Sequence, residues 1–180
     1  MELPRWNPAE GTRRMDIVAR PAASEHLSVL AEMAAEAVAE QEDARGGWVW
    51  SRREVRGRPF TESLTADLDD PDSAVWIGEI DGAPVGYAVA AVETLQTGET
   101  LGRVTDLYVA PGAREVSVGE ALIGEVLQWC ASRGCSGVDS LALPGNRATK
   151  NFFETFGFTA RLLVLHRSLE PDAPSSLRTK

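Results

Sequence analysis

The chain has 180 residues, which is the size of one ordinary domain. Hydrophobic residues make up 43% and charged residues 25%, a balance that excludes a disordered or fibrous chain, and no apolar run is long enough to span a membrane. The net charge of −9 excludes the overall basic surface typical of nucleic-acid binding and favours neutral or cationic partners.

The first part of the chain predicts a strand and two helices. Asp16–Arg20 alternates as a strand does, and the apolar residues within Leu27–Val38 recur at helical spacing. Residues 48–60 follow no period, so we expect them to be irregular. A short second helix is expected at Thr61–Leu68.

Three strands are expected in the middle of the chain. Ala74–Ile80 and Val85–Val92 are joined by Asp81-Gly82, a pair that readily adopts the positive backbone dihedral angles of a tight hairpin turn. A longer turn then leads to a third strand at Leu101–Val109.

The second half alternates between helices and strands. Apolar residues four apart predict a helix over Ser117–Arg133, which Gly134 can end in a left-handed conformation. A strand at Gly137–Leu143, a helix at Arg147–Phe156 and a long last strand at Phe158–Leu169 follow. This order of elements predicts an α/β fold in which helices are layered on one mixed sheet.

The ends of the chain and its cysteines set the remaining boundaries. We expect residues 1–14 to be an arm, residues 15–169 a single domain and residues 170–180 a frayed tail. Cys130 and Cys135 lack the spacing of a zinc site, so the sequence predicts buried, reduced thiols and no metal. The start of the chain has no signal-peptide pattern, which predicts a cytoplasmic location without membrane attachment.

The stretch Val104–Gly119 has the order strand, loop, helix, which can hold a phosphate. The first amides of a helix lack backbone acceptors and lie at the positive end of the helix dipole. Gly119 leaves room for a ligand there, and Arg114 can add a charge. The alternative is an ordinary connection in which Gly119 serves close packing. The Rossmann and P-loop glycine patterns are absent, which argues against dinucleotide enzymes and NTPases.

A second stretch, Asn146–Phe158, combines a helix cap, aromatic residues and a glycine. Packing alone can explain it. Asn146 can cap the helix, Phe152 and Phe156 share one helix face, and Gly157 can end the helix.

Together, LYVAPGAREVSVGEALIGEVLQWCASRGC and NRATKNFFETFGF resemble the GNAT N-acetyltransferase superfamily, and the resemblance extends from Asp16 to about Leu169. The family's cofactor loop has the pattern R/Q-x-x-G-x-G/A, which this chain matches at Arg114 and Gly119. The resemblance implies a mixed, mostly antiparallel sheet that is splayed between strands 4 and 5 and flanked by helices. It also implies acetyl-CoA as the acyl-donor cosubstrate.

The resemblance places the cofactor along three segments. Main-chain amides at the start of the helix hold its pyrophosphate, the end of the fourth strand runs beside its pantetheine, and two positions near the last helix approach its arm. The residues implied are Leu107, Tyr108, Val109, Arg114, Glu115, Val116, Ser117, Val118, Gly119, Glu120, Asn146 and Phe153.

Three positions depart from the family pattern. Ser117 replaces the middle glycine of the loop, and Glu115 adds a negative charge to a loop that is often basic. Phe153 stands where many members have a tyrosine that protonates the leaving thiolate. Loss of a general acid typically costs about 10²–10⁴-fold in rate, but a thiolate whose thiol has a pKa near 8.5 leaves readily without one.

The chemistry that the resemblance implies is direct attack of an amine on the acetyl thioester, which requires the amine to lose a proton first. Asp106 and Glu93 are candidate bases, and Tyr108 is a candidate acid in place of Phe153. Each also has a structural interpretation: a hydrogen-bonded carboxylate, a solvated turn residue and a packed ring. Strict alternation predicts that Val104, Asp106 and Tyr108 share one face of their strand. The family uses a backbone amide near Val109 for the oxyanion.

We therefore predict an acetyl-CoA-dependent N-acetyltransferase acting on a primary amine, with a small cationic molecule favoured over a protein N-terminus or lysine. A non-catalytic acyl-CoA-binding module is the alternative from another class. A homodimer is possible, because the last strand could offer an edge. On the acceptor side, Trp48 and Trp50 could clamp a substrate or close the core, and the nearby arginines could bind an anion or form a solvated face.

Overall fold

Five strands form one sheet in the computed structural model, which describes residues 15–169. The predicted arm, residues 1–14, and tail, residues 170–180, lie outside the described residues. The elements in chain order are β1 Ile17–Pro21, α1 Leu27–Glu42, α2 Gly47–Arg53, α3 Phe60–Asp69, β2 Ser73–Ile80, β3 Ala83–Thr94, β4 Thr100–Val109, α4 Val118–Ser132, β5 Val138–Ser140 and α5 Arg147–Thr155.

The sheet is mixed, with the order β1-β2-β3-β4-β5. β1 to β4 are antiparallel neighbours, whereas β5 is parallel to β4 and pairs with it only from Gly102↔Val138 to Val104↔Ser140. Beyond these pairs β4 continues to Val109 while the chain after Ser140 leaves the sheet. The predicted splayed α/β sheet is confirmed.

Helices cover both faces of the sheet and bury two cores. On one face α1 and α3 pack through Leu30, Val38 and Leu64 against Tyr87 and Val89 of β3. On the other face α4 buries the residues predicted for it: Val118, Leu122, Val126 and Cys130. Apolar residues at helical spacing therefore mark the inner faces of both long helices.

A β-bulge changes the orientation of side chains along β4. Val89 of β3 pairs with Asp106, but the next residue, Ala90, pairs with Val104, so Thr105 is an extra residue without a partner across the strand. Val104 consequently packs in the α4 core, while Tyr108 packs in the α1 core. The prediction that Val104 shares a face with Asp106 and Tyr108 is wrong, because strict alternation does not allow for a bulge.

The structure differs from two predicted elements. Residues 48–60 are predicted to be irregular, but residues 48–53 belong to α2, because Trp50 packs on the α1 core and its amide donates to the Gly46 carbonyl. The long strand predicted at Phe158–Leu169 is absent, and β5 is shorter than its predicted range. Residues 158–169 do not pair with another strand in the described chain, and Leu162, Leu163, Val164 and Leu165 are 71–92% exposed. Apolar, β-prone residues form a strand only where a neighbouring edge accepts their backbone.

The turn residues have the conformations that the sequence predicts. Asp81 and Gly82 have φ values of 51° and 79° in the β2–β3 hairpin. Gly134 and Gly157 follow α4 and α5 at φ 73° and 82°. In the range 15–169 none of the helices has the length and apolar character needed to cross a membrane.

Candidate active site

A cavity lies where β4 and β5 part. Its walls come from α1, from α2 with the loop after it, from the end of β4, and from the segment between β5 and α5. The lining residues used below are Trp50, Glu54, Arg56, Tyr87, Asp106, Leu107, Tyr108 and Phe153. The cavity thus joins the predicted acceptor side to the strand that the pantetheine is expected to follow.

A second, shallow pocket lies at the start of α4. It is lined by Arg114, Glu115, Ser117, Gly119, Glu120 and Phe152. Ser117 precedes the helix at φ 65°, a left-handed conformation that glycine adopts without strain, which accounts for the glycine usual at this position. Its hydroxyl makes no capping hydrogen bond and is available to a ligand.

Three residues show that a ligand in this pocket would meet backbone groups rather than side chains. A Cβ on Gly119 would lie 3.2 Å from Cε2 of Phe152 and would narrow the pocket. Val118 is fully buried and Val116 packs against the α4 core, so only their backbone groups could reach an anion. The first-turn amides of α4 therefore fit a phosphate ligand.

Arg114 is held by α1 as well as by its own loop. Its guanidinium donates to both carboxylate oxygens of Glu40, at 2.7 and 2.5 Å, and to the Val109 carbonyl at 2.8 Å. This hydrogen-bonded guanidinium lowers the pKa of Glu40. Arg114 borders the shallow pocket but has a protein partner for each of these donors.

Tyr108 is buried and bonded to α1. Its hydroxyl donates to Oε2 of Glu36 at 2.9 Å. Burial and this hydrogen bond raise the pKa of Tyr108 to about 12, so the phenol keeps its proton at neutral pH. The hydroxyl therefore acts as a hydrogen-bond donor toward Glu36 and not as a base.

Asp106 lies in a hydrogen-bonded network in the wall of the cavity. Oδ1 accepts from Nε of Arg56 at 3.0 Å and from the Tyr87 hydroxyl at 2.9 Å, and Oδ2 accepts from Nη2 of Arg56 at 2.6 Å. The same guanidinium donates to Asp67 at 2.7 Å. Burial lowers the pKa of Arg56, but its hydrogen bonds to the two carboxylates outweigh that effect and raise it overall.

Asn146 precedes α5, and Phe153 lies near the end of that helix. Oδ1 of Asn146 accepts from the Thr149 amide at 3.0 Å, which confirms its predicted capping role. Phe153 is 6% exposed, lies in the cavity wall and packs its ring 5.0 Å from that of Phe158. It therefore contributes a purely apolar surface where a phenol would supply a proton donor.

Glu93 lies away from the other candidates. It pairs with Leu101 near the far end of β3, four residues from Val89, which faces Asp106. Four residues of strand span about 13 Å, and Glu93 is exposed and does not line the cavity.

Several residues of the site have no motif that marks them in the sequence. Arg56 comes from the stretch without periodicity, and its partner Asp106 is 50 residues away. Glu36 and Glu40 are one turn apart on α1, where they form part of an exposed acidic row, and only the fold brings them to Tyr108 and Arg114.

Cys130 is an unreactive thiol, and the described residues do not form a metal site. Burial, with a smaller contribution from Cys135, raises the pKa of Cys130 to about 11, so this thiol is not a nucleophile at neutral pH. Among the described residues no group of three or more His, Cys, Asp or Glu side chains could hold a metal ion.

Comparison with known proteins assigns the family. The model of the Acetyltransferase (GNAT) family matches residues 35–158, more than half of the chain. The chain therefore belongs to the GNAT acetyltransferase family, whose acyl donor is acetyl-CoA. No curated protein sequence matches it significantly.

Solved structures share the fold at low sequence identity. An acetyltransferase of Trypanosoma brucei is 19% identical, with 86% of this chain and 100% of that one covered and a TM-score of 0.60. An aminoglycoside acetyltransferase from an uncultured soil metagenomic sample, in complex with sisomicin, is 19% identical. The match covers 87% of this chain and 95% of that one, with a TM-score of 0.62. AAC(6')-Iy, in complex with a CoA bisubstrate analogue, is 20% identical. The match covers 86% of this chain and 98% of that one, with a TM-score of 0.62.

Proposed function

We propose that this protein transfers the acetyl group of acetyl-CoA to a primary amine of a small, cationic molecule. The observation that carries the proposal is the position of the cavity. It lies at the parting of β4 and β5 and is lined by residues of α1, the α2 side and α5, and a second pocket lies at the start of α4. Among the similar structures, one is an aminoglycoside acetyltransferase in complex with sisomicin, and another, AAC(6')-Iy, is in complex with a CoA bisubstrate analogue.

The residues of the shallow pocket fit the cofactor's pyrophosphate. First-turn amides from Val116 to Glu120 would donate to it, with the Ser117 hydroxyl beside them. Leu107, Tyr108 and Val109 would lie along the pantetheine, and Asn146 has amide protons left to donate after capping α5. Bound there, acetyl-CoA would supply an activated thioester.

The side chains around the cavity suggest a division of roles. Tyr108 keeps its proton and is the candidate general acid, while a backbone amide near Val109 would face the developing negative charge. Asp106 is bound by Arg56 and Tyr87, so we assign it a positioning role. The amine proton would then leave to water rather than to Asp106 or to Glu93, which is exposed outside the cavity.

One observation favours the non-catalytic alternative. Phe153 offers no hydroxyl at the position where family members often carry the general acid, although the cavity and the pocket remain. An acyl-CoA-binding module would have this arrangement. Binding and turnover must therefore be measured separately.

Calorimetric titration with acetyl-CoA, followed by thiol release against a panel of amines, tests the proposal. We expect binding together with thiol release for at least one amine. Gly119→Ala should weaken binding, because its Cβ narrows the pocket. Gly112→Ala, with no atom near its Cβ, should leave binding unchanged. Binding without release for any amine would support the non-catalytic module, and absence of binding would exclude the cofactor assignment.

A further inference from the structure

We propose that Glu54 and Trp50 bind a second, unreacted ammonium group of the acceptor, so that the preferred substrates carry at least two amino groups. The inference rests on the proposed function and names its substrate class. It follows from the charge state of the cavity wall on the α2 side.

The cavity has two carboxylates in its wall, and they differ in what they already bind. Asp106 accepts three hydrogen bonds, from Arg56 and Tyr87, and has little capacity left for a ligand. Glu54 has one partner in the described part of the chain, Nε of Arg53 at 3.4 Å. The Arg53 side chain is 73% exposed, and ion pairs of this kind contribute little. Glu54 is therefore the carboxylate that remains available.

Trp50 and Glu54 are positioned together by α2. They are four residues apart, and the Glu54 amide bonds the Trp50 carbonyl at 3.0 Å, so both side chains lie on the same side of the helix end. Trp50 also packs on the α1 core, which fixes the orientation of its ring. An indole face beside a carboxylate is a favourable environment for an alkylammonium ion.

Arg56, the cationic residue in the cavity wall, does not repel such a ligand. Arg56 lines the cavity, but its charge is offset by Asp106 and Asp67, both of which it contacts. One arginine with two aspartates carries a net negative charge, and the carboxylate of Glu54 adds to it. The α2 side of the cavity is therefore net negative.

Acid–base chemistry separates the group that Glu54 binds from the group that reacts. An amine must be neutral to attack a thioester, and a neighbouring carboxylate stabilises its protonated form and hinders that step. The carboxylate of Glu54 therefore suits an ammonium group that does not react and remains protonated throughout. Glu54 on the α2 wall and Phe153 on the α5 wall bound the same cavity, so one molecule can contact both.

A matched pair of amines tests the inference. Initial rates of thiol release at saturating acetyl-CoA are measured with 1,4-diaminobutane and with butylamine, which differ by the second amino group. We expect the kcat/KM of the wild type to favour the diamine by about tenfold or more, beyond the factor of two from its two reactive ends. Glu54→Gln should reduce this preference to about twofold, mainly through KM, while Glu54→Asp should retain part of it.

Controls separate this inference from the proposed function. Glu62→Gln, an exposed acid of α3 outside the cavity, should keep the wild-type preference, and acetyl-CoA affinity of each variant reports that the fold is intact. An undiminished preference in Glu54→Gln, or turnover of butylamine without any preference in the wild type, would overturn the role of Glu54 alone. Acetyl-CoA binding without turnover of either amine would overturn the proposed function and the inference with it.

Discussion

Phe153 lacks the phenolic oxygen that a tyrosine would place in the cavity. Its ring lies in the cavity wall, 5.0 and 5.5 Å from the rings of Phe158 and Phe152, so a tyrosine could occupy the same space with its hydroxyl added. The buried phenol of Tyr108, from another wall of the cavity, is the donor that we propose in its place.

We expect Phe153→Tyr to change acetyl-CoA affinity by less than about twofold and to raise kcat by up to about 10²-fold, the lower end for a general acid. Calorimetry and steady-state thiol release measure the two quantities. Phe156→Tyr adds the same hydroxyl outside the cavity and should change neither. Loss of acetyl-CoA binding in Phe153→Tyr would show that Phe153 does not lie where we place it.

Ser117 carries backbone strain next to the phosphate pocket. At φ 65° its Cβ crowds the following carbonyl, whereas glycine has no Cβ to crowd it. We expect Ser117→Gly to raise the free energy of unfolding by about 1 kcal/mol. This value is smaller than the full relief of strain, because glycine also increases the conformational entropy of the unfolded chain. Urea unfolding measures the change.

The same substitution at Ser132, which has helical dihedral angles at the end of α4, serves as the control. It should lower the free energy of unfolding by roughly 0.5–1 kcal/mol, so the two variants are expected to move in opposite directions. A loss of stability in both would show that the Ser117 side chain makes a stabilising contact that exceeds the strain.

At the scale of elements, α1 is connected to both halves of the site. Glu36 accepts from Tyr108 of β4, and Glu40 holds Arg114 of the loop before α4. If Arg114 contributes to phosphate binding, it must first leave Glu40. The ion pair is close to half exposed, so its contribution is about 0–1 kcal/mol.

Glu40→Gln should therefore tighten acetyl-CoA binding by about two- to fivefold, the range that such an ion pair allows. Glu32→Gln, an exposed acid about two turns earlier on α1, is the matched control and should bind as the wild type does. The measurement is calorimetric titration at constant ionic strength. Weaker binding in Glu40→Gln would mean that the ion pair helps to assemble the pocket.

Elements with their own local pattern could be predicted from the sequence, and the others could not. The start of α4, with Arg114 and Gly119, is a continuous stretch, so its role could be predicted before the structure. Arg56 has no pattern of its own, because its interaction depends on a partner 50 residues away. The predicted strand at Phe158–Leu169 is absent, since its residues have strand propensity but no strand beside them.

At the scale of the whole molecule, ion pairs link the negative charge of the chain to its stability. Hydrogen bonds from Arg20 lower the pKa of Glu79, and Arg161 does the same for the pKa of Asp139. A carboxyl group with a lowered pKa binds fewer protons in the folded state than in the unfolded state. Its contribution is complete above the unfolded pKa values, near 4, and is lost as the pH falls through the folded values.

We expect the Tm to change little between pH 7 and pH 5 and to fall below about pH 4.5. Glu79→Gln should lower the Tm at pH 7, and its Tm should approach that of the wild type as the pH falls through the lowered pKa of Glu79, where the wild-type carboxylate also takes up its proton. Dilute samples are needed, because the sequence pI is 4.8 and repulsion between molecules is weakest there. A constant difference in Tm at all pH values would show that the pair stabilises through packing and not through charge.

The bulge in β4 gives the strand an unusual tolerance to a change of length. Deleting one residue from a regular strand turns every later side chain to the opposite face. Thr105, however, has no partner in the β3–β4 register. Its deletion would therefore leave Val104 on the α4 face of the sheet and Asp106 on the α1 face. The deletion would remove only the local bend. It would thus separate two contributions of the strand: the chemistry of its side chains and the curvature that directs its end into the open cleft.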